Sequence, residues 1–253
     1  MADLSSTTVF ITGATAGFGA AAARRFSADG ARVIITGRRT DRLEALKKEL
    51  PSPAHTVELD VRDRGAVEAA VAALPGEFAA IDVLLNNAGL ALGLGPAHEV
   101  AMEDWEQMID TNIKGLLYCT RAILPGMVER NRGHVINLGS VAGTYPYPGG
   151  NVYGGTKAFV HQFSLNLRAD LLGKNVRVTS VEPGMAETEF SEVRFKGDRD
   201  KAAGVYANMQ PMTPDDIANV IHFVATCPPH LNVNTIELMP TQQAFAAFAV
   251  SRG

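Results

Sequence analysis

Short apolar runs rich in β-branched residues alternate with longer helical patterns along the whole chain. The runs are TTVFIT (7–12), ARVIITG (31–37), HTVELD (55–60), IDVLLNN (81–87), GHVINLG (133–139), NVRVTSVE (175–182) and NTIELM (234–239). Strands that are apolar along both faces must be covered on both faces, and alternation with helices indicates parallel pairing. We therefore predict a single α/β domain over residues 1–253, with a doubly wound Rossmann-type parallel sheet of about seven strands and helices on both faces.

Composition excludes several classes of protein. Hydrophobic residues make up 46% and charged residues 20% of the chain, as in folded globular domains, and the net charge of −4 offers no basic surface for nucleic acid. The first residues lack a signal-peptide pattern, and the apolar runs are too short to cross a membrane. Two cysteines cannot form a disulfide framework, and the six scattered histidines match no metal motif. We expect a cytoplasmic protein without a nucleic-acid, membrane or metal partner.

A glycine-rich turn, TGATAGFG (12–19), directly follows the first predicted strand and opens the first helix. Gly13, Gly17 and Gly19 permit a tight turn and a close backbone approach, and free N–H groups at the helix start can face a pyrophosphate. Glycine-rich turns also serve as plain connections. The strand–turn–helix context favours dinucleotide binding over a plain turn.

The end of the second strand, VIITGRRT, distinguishes between the two nicotinamide dinucleotides. An NAD site would carry an acidic residue there for the ribose 2′-hydroxyl, whereas this chain has Gly37, Arg38 and Arg39. Guanidinium groups match a 2′-phosphate in a bidentate manner. The alternative is a solvated surface pair, but the position favours NADP(H) as cofactor.

Two irregular segments, 87–101 and 184–212, begin at carboxyl ends of predicted strands, where open α/β sheets bind ligands. Both are candidates for lining a site, because long loops in compact domains are often functional. Thr40 and Thr213 are predicted helix N-caps, the latter followed by Pro214 and an acidic first turn.

Tyr153 and Lys157 are four residues apart on a predicted helix and therefore share one face. An ammonium group near a phenol favours the phenolate and brings it toward useful acid–base chemistry. Ser140 follows the strand GHVINLG, so its hydroxyl can orient a substrate oxygen toward the phenol. A Tyr–Lys pair taken alone is more often a solvated surface pair.

Six motifs in order carry a resemblance to the short-chain dehydrogenase/reductase family. They are the glycine turn, NNAG (86–89), TNIKG (111–115), Ser140, Tyr153 with Lys157, and EPG (182–184). The resemblance implies an NADP-dependent oxidoreductase with a catalytic tetrad of Asn112, Ser140, Tyr153 and Lys157. In that tetrad Tyr153 is the general acid/base, Lys157 tunes it and holds the nicotinamide ribose, Ser140 polarises the carbonyl, and Asn112 supports a water-linked proton path. For Asn86, the alternative to a role in the site is that its side chain locks neighbouring strands together.

The same resemblance implies which residues contact the cofactor. They are Gly13, Ala14, Thr15, Ala16, Gly17, Phe18, Gly19, Arg38, Arg39, Asp60, Val61, Asn87, Ala88, Gly89, Tyr153, Lys157, Pro183, Gly184, Met185 and Thr188.

The stretches NVYGGTKAFVHQFSLNLRADL, LPGMVER and FSEVRFKGD resemble NADP-dependent 3-hydroxy acid dehydrogenases, which act on serine, allo-threonine and related short acids. Ser140 and Tyr153 would then contact the substrate, and Arg194 is our candidate clamp for its carboxylate. The alternative for Arg194 is a place in a solvated, charge-balanced segment. Reduction of other small carbonyl compounds, or NADP(H) binding by a regulator without turnover, are the competing functions.

The chain end QQAFAAFAVSRG (242–253) is apolar, which suggests that it covers the core or joins subunits. In the family that the motifs resemble, tetramers built through the C-terminal strand and paired long helices are common, so we expect a homotetramer. The physiological substrate, its stereochemistry and the direction of reaction do not follow from the sequence.

Overall fold

The computed structural model describes residues 3–245 and contains a seven-stranded sheet whose neighbouring strands all run parallel. The strands are β1 Thr8–Ile11, β2 Arg32–Gly37, β3 Ala54–Glu58, β4 Val83–Asn86, β5 Gly133–Leu138, β6 Val176–Pro183 and β7 Thr235–Leu238. Their order across the sheet is β3-β2-β1-β4-β5-β6-β7, so the winding reverses between β1 and β4. The predicted doubly wound parallel sheet is confirmed.

Nine α-helices connect the strands of this described part, together with a π-helical turn at Asp110–Gly115 and a 3₁₀ turn at Val141–Gly143. The helices are α1 Gly17–Ala28, α2 Thr40–Glu49, α3 Arg64–Ala72, α4 Met102–Ile109, α5 Leu116–Glu129, α6 Asn151–Asp170, α7 Phe190–Arg194, α8 Arg199–Gly204 and α9 Pro214–Thr226. Thr213 caps α9 through a capping box with Asp216, as predicted. The prediction for Thr40 is wrong, because α2 already includes Thr40 and Arg39 takes the cap position without a side-chain bond.

The two faces of the sheet carry separate apolar cores because successive side chains of a strand point to opposite faces. Val9 and Ile11 of β1 pack with α1, α2 and α9, whereas Phe10 between them packs with α3, α5 and α6. These two layers hold the carboxyl ends of the central strands at one edge, from which the irregular segments 87–101 and 184–212 leave. The second of these segments contains the short helices α7 and α8.

Asn86, at the end of β4, joins two neighbouring elements inside the protein. Its amide nitrogen donates to Asn137 on β5 at 2.9 Å and to Thr120 on α5 at 2.9 Å. Asn137 in turn donates to Ser164 on α6 at 2.9 Å. A buried polar group needs such partners, and these bonds give Asn86 the strand-locking role that the sequence left as its alternative.

Within residues 3–245, no helix is long and apolar enough to cross a membrane. The same range holds no group of three or more His, Cys, Asp or Glu side chains able to bind a metal ion. Most of the apolar chain end, residues 246–253, lies outside the described range, so the predicted role of that tail is not addressed by the structure.

Helices α1 and α9 pack together around a buried His222. Its ring lies 5.5 Å from the Phe26 ring, and its Nε2 is 2.9 Å from the buried carboxylate of Asp29. Burial lowers the pKa of His222, and the neighbouring Arg25 charge adds to this effect while Asp29 opposes it. His222 in the unfolded chain therefore takes up a proton at higher pH than it does in the folded chain.

We expect the free energy of unfolding to fall between about pH 7.5 and about pH 5.5, because stability present above the unfolded pKa is lost as pH falls toward the lower folded pKa. His222→Gln should weaken this dependence in urea unfolding at the two pH values. His98→Gln is the control, since the side chain of His98 is 78% exposed. An unchanged dependence in His222→Gln would contradict the assignment.

Candidate functional site

A cleft of ≈ 380 Å³ opens at the carboxyl edge of the sheet, where the strand order reverses between β1 and β4. Most of the predicted site residues line it. They are Gly13, Thr15, Ala16, Gly17, Phe18, Arg38, Arg39, Asp60, Val61, Asn87, Ala88, Gly89, Ser140, Tyr153, Lys157, Pro183, Gly184 and Thr188. The structure thus brings together residues from seven separate stretches of sequence.

Five predicted residues are not among those that line this cleft in the described part of the chain: Ala14, Gly19, Asn112, Met185 and Arg194. Ala14 is fully buried, and its N–H donates to Thr36 at 2.8 Å. The N–H of Met185 donates to the Gln243 side chain at 2.7 Å. These bonds fix the backbone at Ala14 and Met185, and the predicted contacts of both residues with the cofactor stay predictions.

The glycine turn has the backbone that the sequence required. Gly13 and Gly17 have φ angles of +66° and +53°, in the left-handed region that favours glycine. At Gly19 a Cβ would lie 2.5 Å from the carbonyl oxygen of Gly13, so a larger residue would push the turn apart. The amide of Asn87 fixes the turn from β4 by donating to the Gly13 carbonyl at 3.1 Å.

Helix α1 begins at this turn and directs its positive end at the cleft. Ala16 is its N-cap, and within the described residues no side chain caps it and no acidic residue occupies its first turn. Free N–H groups and the helix dipole together favour an anion at this position. The turn therefore fits a pyrophosphate.

Arg38 and Arg39 lie at the same end of the cleft but differ in their contacts. Arg39 donates to the Thr15 hydroxyl at 2.7 Å and 3.1 Å, and to the Glu189 carboxylate at 3.1 Å. Arg42 donates to the same carboxylate at 2.7 Å. Arg38 is exposed, and Gly37 before it packs closely against Thr15, since a Cβ on Gly37 would lie 2.6 Å from the Thr15 methyl. Both residues line the cleft, and their predicted contact with a 2′-phosphate stays a prediction.

Sequence reasoning missed Glu189 and Arg42. Their contact joins residues 147 positions apart, across the mouth of the cleft. The sequence marks neither residue, because Arg42 belongs to an ordinary charged helix face and Glu189 to an irregular segment.

Tyr153 and Lys157 occupy one face of α6, as predicted, and both are buried. The Lys157 Nζ lies 5.8 Å from the centre of the Tyr153 ring and donates to the Leu138 carbonyl at 2.7 Å. Ser140 follows β5 in extended conformation and donates to the Pro183 carbonyl at 3.3 Å. A phenol, an ammonium and a hydroxyl thus meet at the end of β5.

Burial dominates the electrostatics of this group. It raises the pKa of the Tyr153 phenol to about 12, while the Ser140 hydroxyl and the Arg194 guanidinium act in the opposite direction. Burial lowers the pKa of Lys157 to about 8, and the Glu182 carboxylate opposes this. Both pKa values therefore depend on the charges that surround the cleft.

Glu182 is a buried carboxylate, only 2% exposed, at the end of β6. It accepts hydrogen bonds from His161 and Ser180, both at 2.7 Å. Hydrogen-bond partners of this kind offset the cost of burying a polar group. The Glu182 carboxylate opposes the effect of burial on the pKa of Lys157.

Asn112 sits in the π-helical turn between α4 and α5, a feature often found at functional sites. Its amide nitrogen donates to the Leu90 carbonyl at 2.8 Å and to the Thr156 hydroxyl at 3.0 Å, and its oxygen accepts from the Leu90 N–H at 2.9 Å. Both amide hydrogens are used inside the protein. The side chain ties the loop after β4 to helix α6, and its predicted part in a proton path stays a prediction.

Arg194 lies beside the cleft within a cluster of aromatic rings. Its guanidinium is 5.3 Å from the Tyr153 ring centre, 5.6 Å from that of Tyr147 and 5.8 Å from that of Phe190. It donates to the Tyr147 hydroxyl. Its buried Nε has no hydrogen-bond partner among residues 3–245. Arg194 is therefore held by aromatic neighbours, whereas Lys196, Arg199 and Lys201 after it are exposed and ion-paired; the predicted carboxylate clamp stays a prediction.

Tyr147 was also missed from the sequence, because its contact with Arg194 spans 47 positions. The stretch TYPYPGG that contains it gives no periodic signal.

Comparisons with known proteins agree with this geometry. A family model described as short chain dehydrogenase matches residues 7–199. The chain is 62% identical to the NADP-dependent 3-hydroxy acid dehydrogenase YdfG of Salmonella typhi over 245 residues, which are 96% of this chain and 99% of that protein. It is 58% identical to the serine 3-dehydrogenase of Rhizobium radiobacter over 98% of this chain and 99% of that protein. A solved structure, the closed form of serine dehydrogenase complexed with NADP⁺, superposes with a TM-score of 0.96 at 58% identity, covering 98% of this chain and 100% of that one.

We expect the double change Arg38→Ala and Arg39→Ala to weaken NADP⁺ binding by about 10- to 100-fold, the loss expected for hydrogen bonds to a charged group. Affinity for NAD⁺, which lacks the 2′-phosphate, should stay the same. Isothermal titration with both dinucleotides measures the two affinities. Arg64→Ala is the control, because Arg64 pairs with Glu68 on the exposed face of α3. Equal losses for both dinucleotides would contradict the role of these arginines.

Proposed function

The chain belongs to the short-chain dehydrogenase family, and on this basis we propose that it oxidises the 3-hydroxyl group of small hydroxy acids with NADP⁺, and reduces the corresponding 3-keto acids with NADPH. The observation that carries the proposal is the meeting of the Tyr153 phenol, the Ser140 hydroxyl and the Lys157 ammonium at the wall of the cleft. Mere binding of a dinucleotide needs no proton donor, so this group favours an enzyme over a regulator.

The described residues fit NADP(H) on structural grounds. The uncapped start of α1 would hold the pyrophosphate, and Arg38 with Arg39 would hold the 2′-phosphate. Asp60 and Val61 would flank the adenine, and Asn87 to Gly89 the remainder of the cofactor. When bound, the nicotinamide supplies the hydride acceptor or donor.

The side chains of the site would move and hold the proton. In oxidation, Tyr153 as phenolate accepts the proton of the 3-hydroxyl group, and the Ser140 hydroxyl hydrogen-bonds the same oxygen. Lys157 supplies the positive charge that favours the phenolate. Glu182 would keep Lys157 protonated, since its negative charge opposes the effect of burial on the Lys157 pKa.

The substrate class follows from the charge beside Tyr153. Arg194 is a partly buried cation with an unpartnered Nε among the residues described. A substrate carboxylate would pair with the guanidinium charge while its 3-hydroxyl group reached Tyr153. Serine and related 3-hydroxy acids carry both groups, in agreement with the activities named for the two relatives.

Reduction of other small carbonyl compounds is the second candidate. The tetrad would serve any alcohol or ketone, so only the environment of Arg194 favours an acid. A cofactor-binding regulator is the weakest candidate, because it leaves the Tyr153 arrangement without a purpose.

We further propose that the protein is one domain over residues 1–253, acts in the cytoplasm and assembles as a homotetramer. Free thiols at Cys119 and Cys227 fit a reducing compartment. The exposed side chains of Leu172, Phe223 and Phe245 fit contact surfaces between subunits.

The activity test is a panel of 3-hydroxy acids, neutral alcohols and ketones with NADP(H) and NAD(H), followed by the near-ultraviolet absorbance of the reduced cofactor. We expect 3-hydroxy acids with NADP⁺ to give the highest kcat/KM. Tyr153→Phe should lower kcat by about 10²- to 10⁴-fold, the usual contribution of a general base. Higher kcat/KM for neutral substrates, or full activity of Tyr153→Phe, would overturn the proposal.

The clamp is tested with matched substrates, 3-hydroxybutyrate and its methyl ester. Arg194→Gln should raise KM for the acid by about 30-fold or more, the usual loss when one partner of a buried charge pair is removed. KM for the ester should change little, because the ester carries no charge. An unchanged KM for the acid in a folded variant would remove Arg194 from substrate binding.

A further inference from the structure

The catalytic phenol has two cations close to its ring, not one. The Arg194 guanidinium carbon lies 5.3 Å from the centre of the Tyr153 ring, and the Lys157 Nζ lies 5.8 Å from it. Lys157 belongs to the same helix as the phenol, whereas Arg194 comes from α7 in the irregular segment 184–212. The second charge is thus brought to the phenol by a different part of the fold.

The position of Arg194 is fixed by several contacts. Tyr147 accepts a hydrogen bond from its guanidinium, and the rings of Tyr147 and Phe190 adjoin it. The carbonyl of Arg194 accepts from the Gly93 N–H at 2.9 Å, which joins α7 to the loop after β4. A cation held near an aromatic face in a partly desolvated place interacts more strongly with that ring than an exposed one.

We propose that Arg194 is a second electrostatic partner of Tyr153, whose positive charge favours the phenolate independently of any contact with the substrate. The kinetic consequences of this inference rest on the proposed function. The interaction between Arg194 and Tyr153 involves residues of this chain alone and does not depend on a substrate. It gives the segment 184–212 a part in proton transfer besides substrate binding. This stabilisation of the phenolate agrees with the effect of the Arg194 charge, which lowers the pKa of Tyr153.

Polar and charged groups face the Tyr153 phenol from each element around it. They are Lys157 of α6, Ser140 after β5, Tyr147 in the loop before α6, Arg194 of α7 and Tyr206 after α8. Of these, Lys157 and Arg194 carry positive charge. The two tyrosines raise the pKa of Tyr153, so they oppose the phenolate.

The charge of the substrate changes the size of the effect. A carboxylate bound to Arg194 would cancel much of its field at the phenol, whereas an ester would leave the field intact. The influence of Arg194 on proton transfer should therefore be larger with methyl 3-hydroxybutyrate than with 3-hydroxybutyrate. A residue that only clamps the acid would show the opposite pattern.

The first test is the pH dependence of kcat for oxidation of both substrates by wild type, Arg194→Gln and Arg194→Lys. In Arg194→Gln, the acidic limb of the kcat profile for the ester should move to higher pH by about one pH unit, as expected for the loss of one charge at this distance. Arg194→Lys keeps the charge and should retain most of the wild-type profile. Lys196→Gln is the matched control, because Lys196 lies on the same segment, is 61% exposed and pairs with Asp104 away from the phenol.

The second test needs neither cofactor nor turnover. Ionisation of Tyr153 is followed by near-ultraviolet absorbance of the full-length, ligand-free protein, with the curve of Tyr153→Phe subtracted to remove the other four of the five tyrosines. The same subtraction is made in the Arg194→Gln background. The midpoint should lie at higher pH without Arg194.

The outcomes separate the inference from the proposed function. An unchanged midpoint and an unchanged acidic limb for the ester in folded Arg194→Gln would overturn the inference, even if KM for the acid rises. A raised midpoint would support it even if no hydroxy acid is oxidised. An equal change in Lys196→Gln would also overturn it, because a general loss of positive charge would then explain the result.

Discussion

The reversal of strand order between β1 and β4 is the constraint on which the rest of the site depends. On either side of it, the connections leave the sheet in opposite directions, so a crevice opens at the carboxyl edge. The start of α1 and the ends of β4, β5 and β6 all reach this crevice. Residues distant in sequence, such as Gly13 and Pro183, therefore line one cleft.

Burial is the largest influence on the pKa values of Tyr153 and Lys157 in the cleft. A phenol and an ammonium removed from water both favour their neutral forms, which is why the pKa of Tyr153 rises to about 12 and that of Lys157 falls to about 8. The surrounding charges act against burial: Glu182 on Lys157, and Arg194 on Tyr153. The pKa values of this pair therefore depend on that balance, and not on the Tyr–Lys spacing alone.

Local patterns predicted much of this molecule. Apolar strands alternating with helices identified all seven strands, since strands buried on both faces must be apolar throughout. The glycine turn and the i, i+4 spacing of Tyr153 and Lys157 were also readable, because each is a local requirement of backbone or helix geometry. The predicted N-cap role of Thr40 was wrong, because an N-cap residue precedes its helix and Thr40 is already the first residue of α2.

The sequence by itself determined the sheet, the glycine turn and the placing of Tyr153 and Lys157 on one helix face, because these follow from periodicity and from short motifs. Only the tertiary structure decided their surroundings. The bond of Arg194 to Tyr147, the bridge from Glu189 to Arg39 and Arg42, and the closeness of Glu182 to Lys157 all join separate elements. Such contacts leave no local pattern, because they depend on how the chain returns to one edge of the sheet.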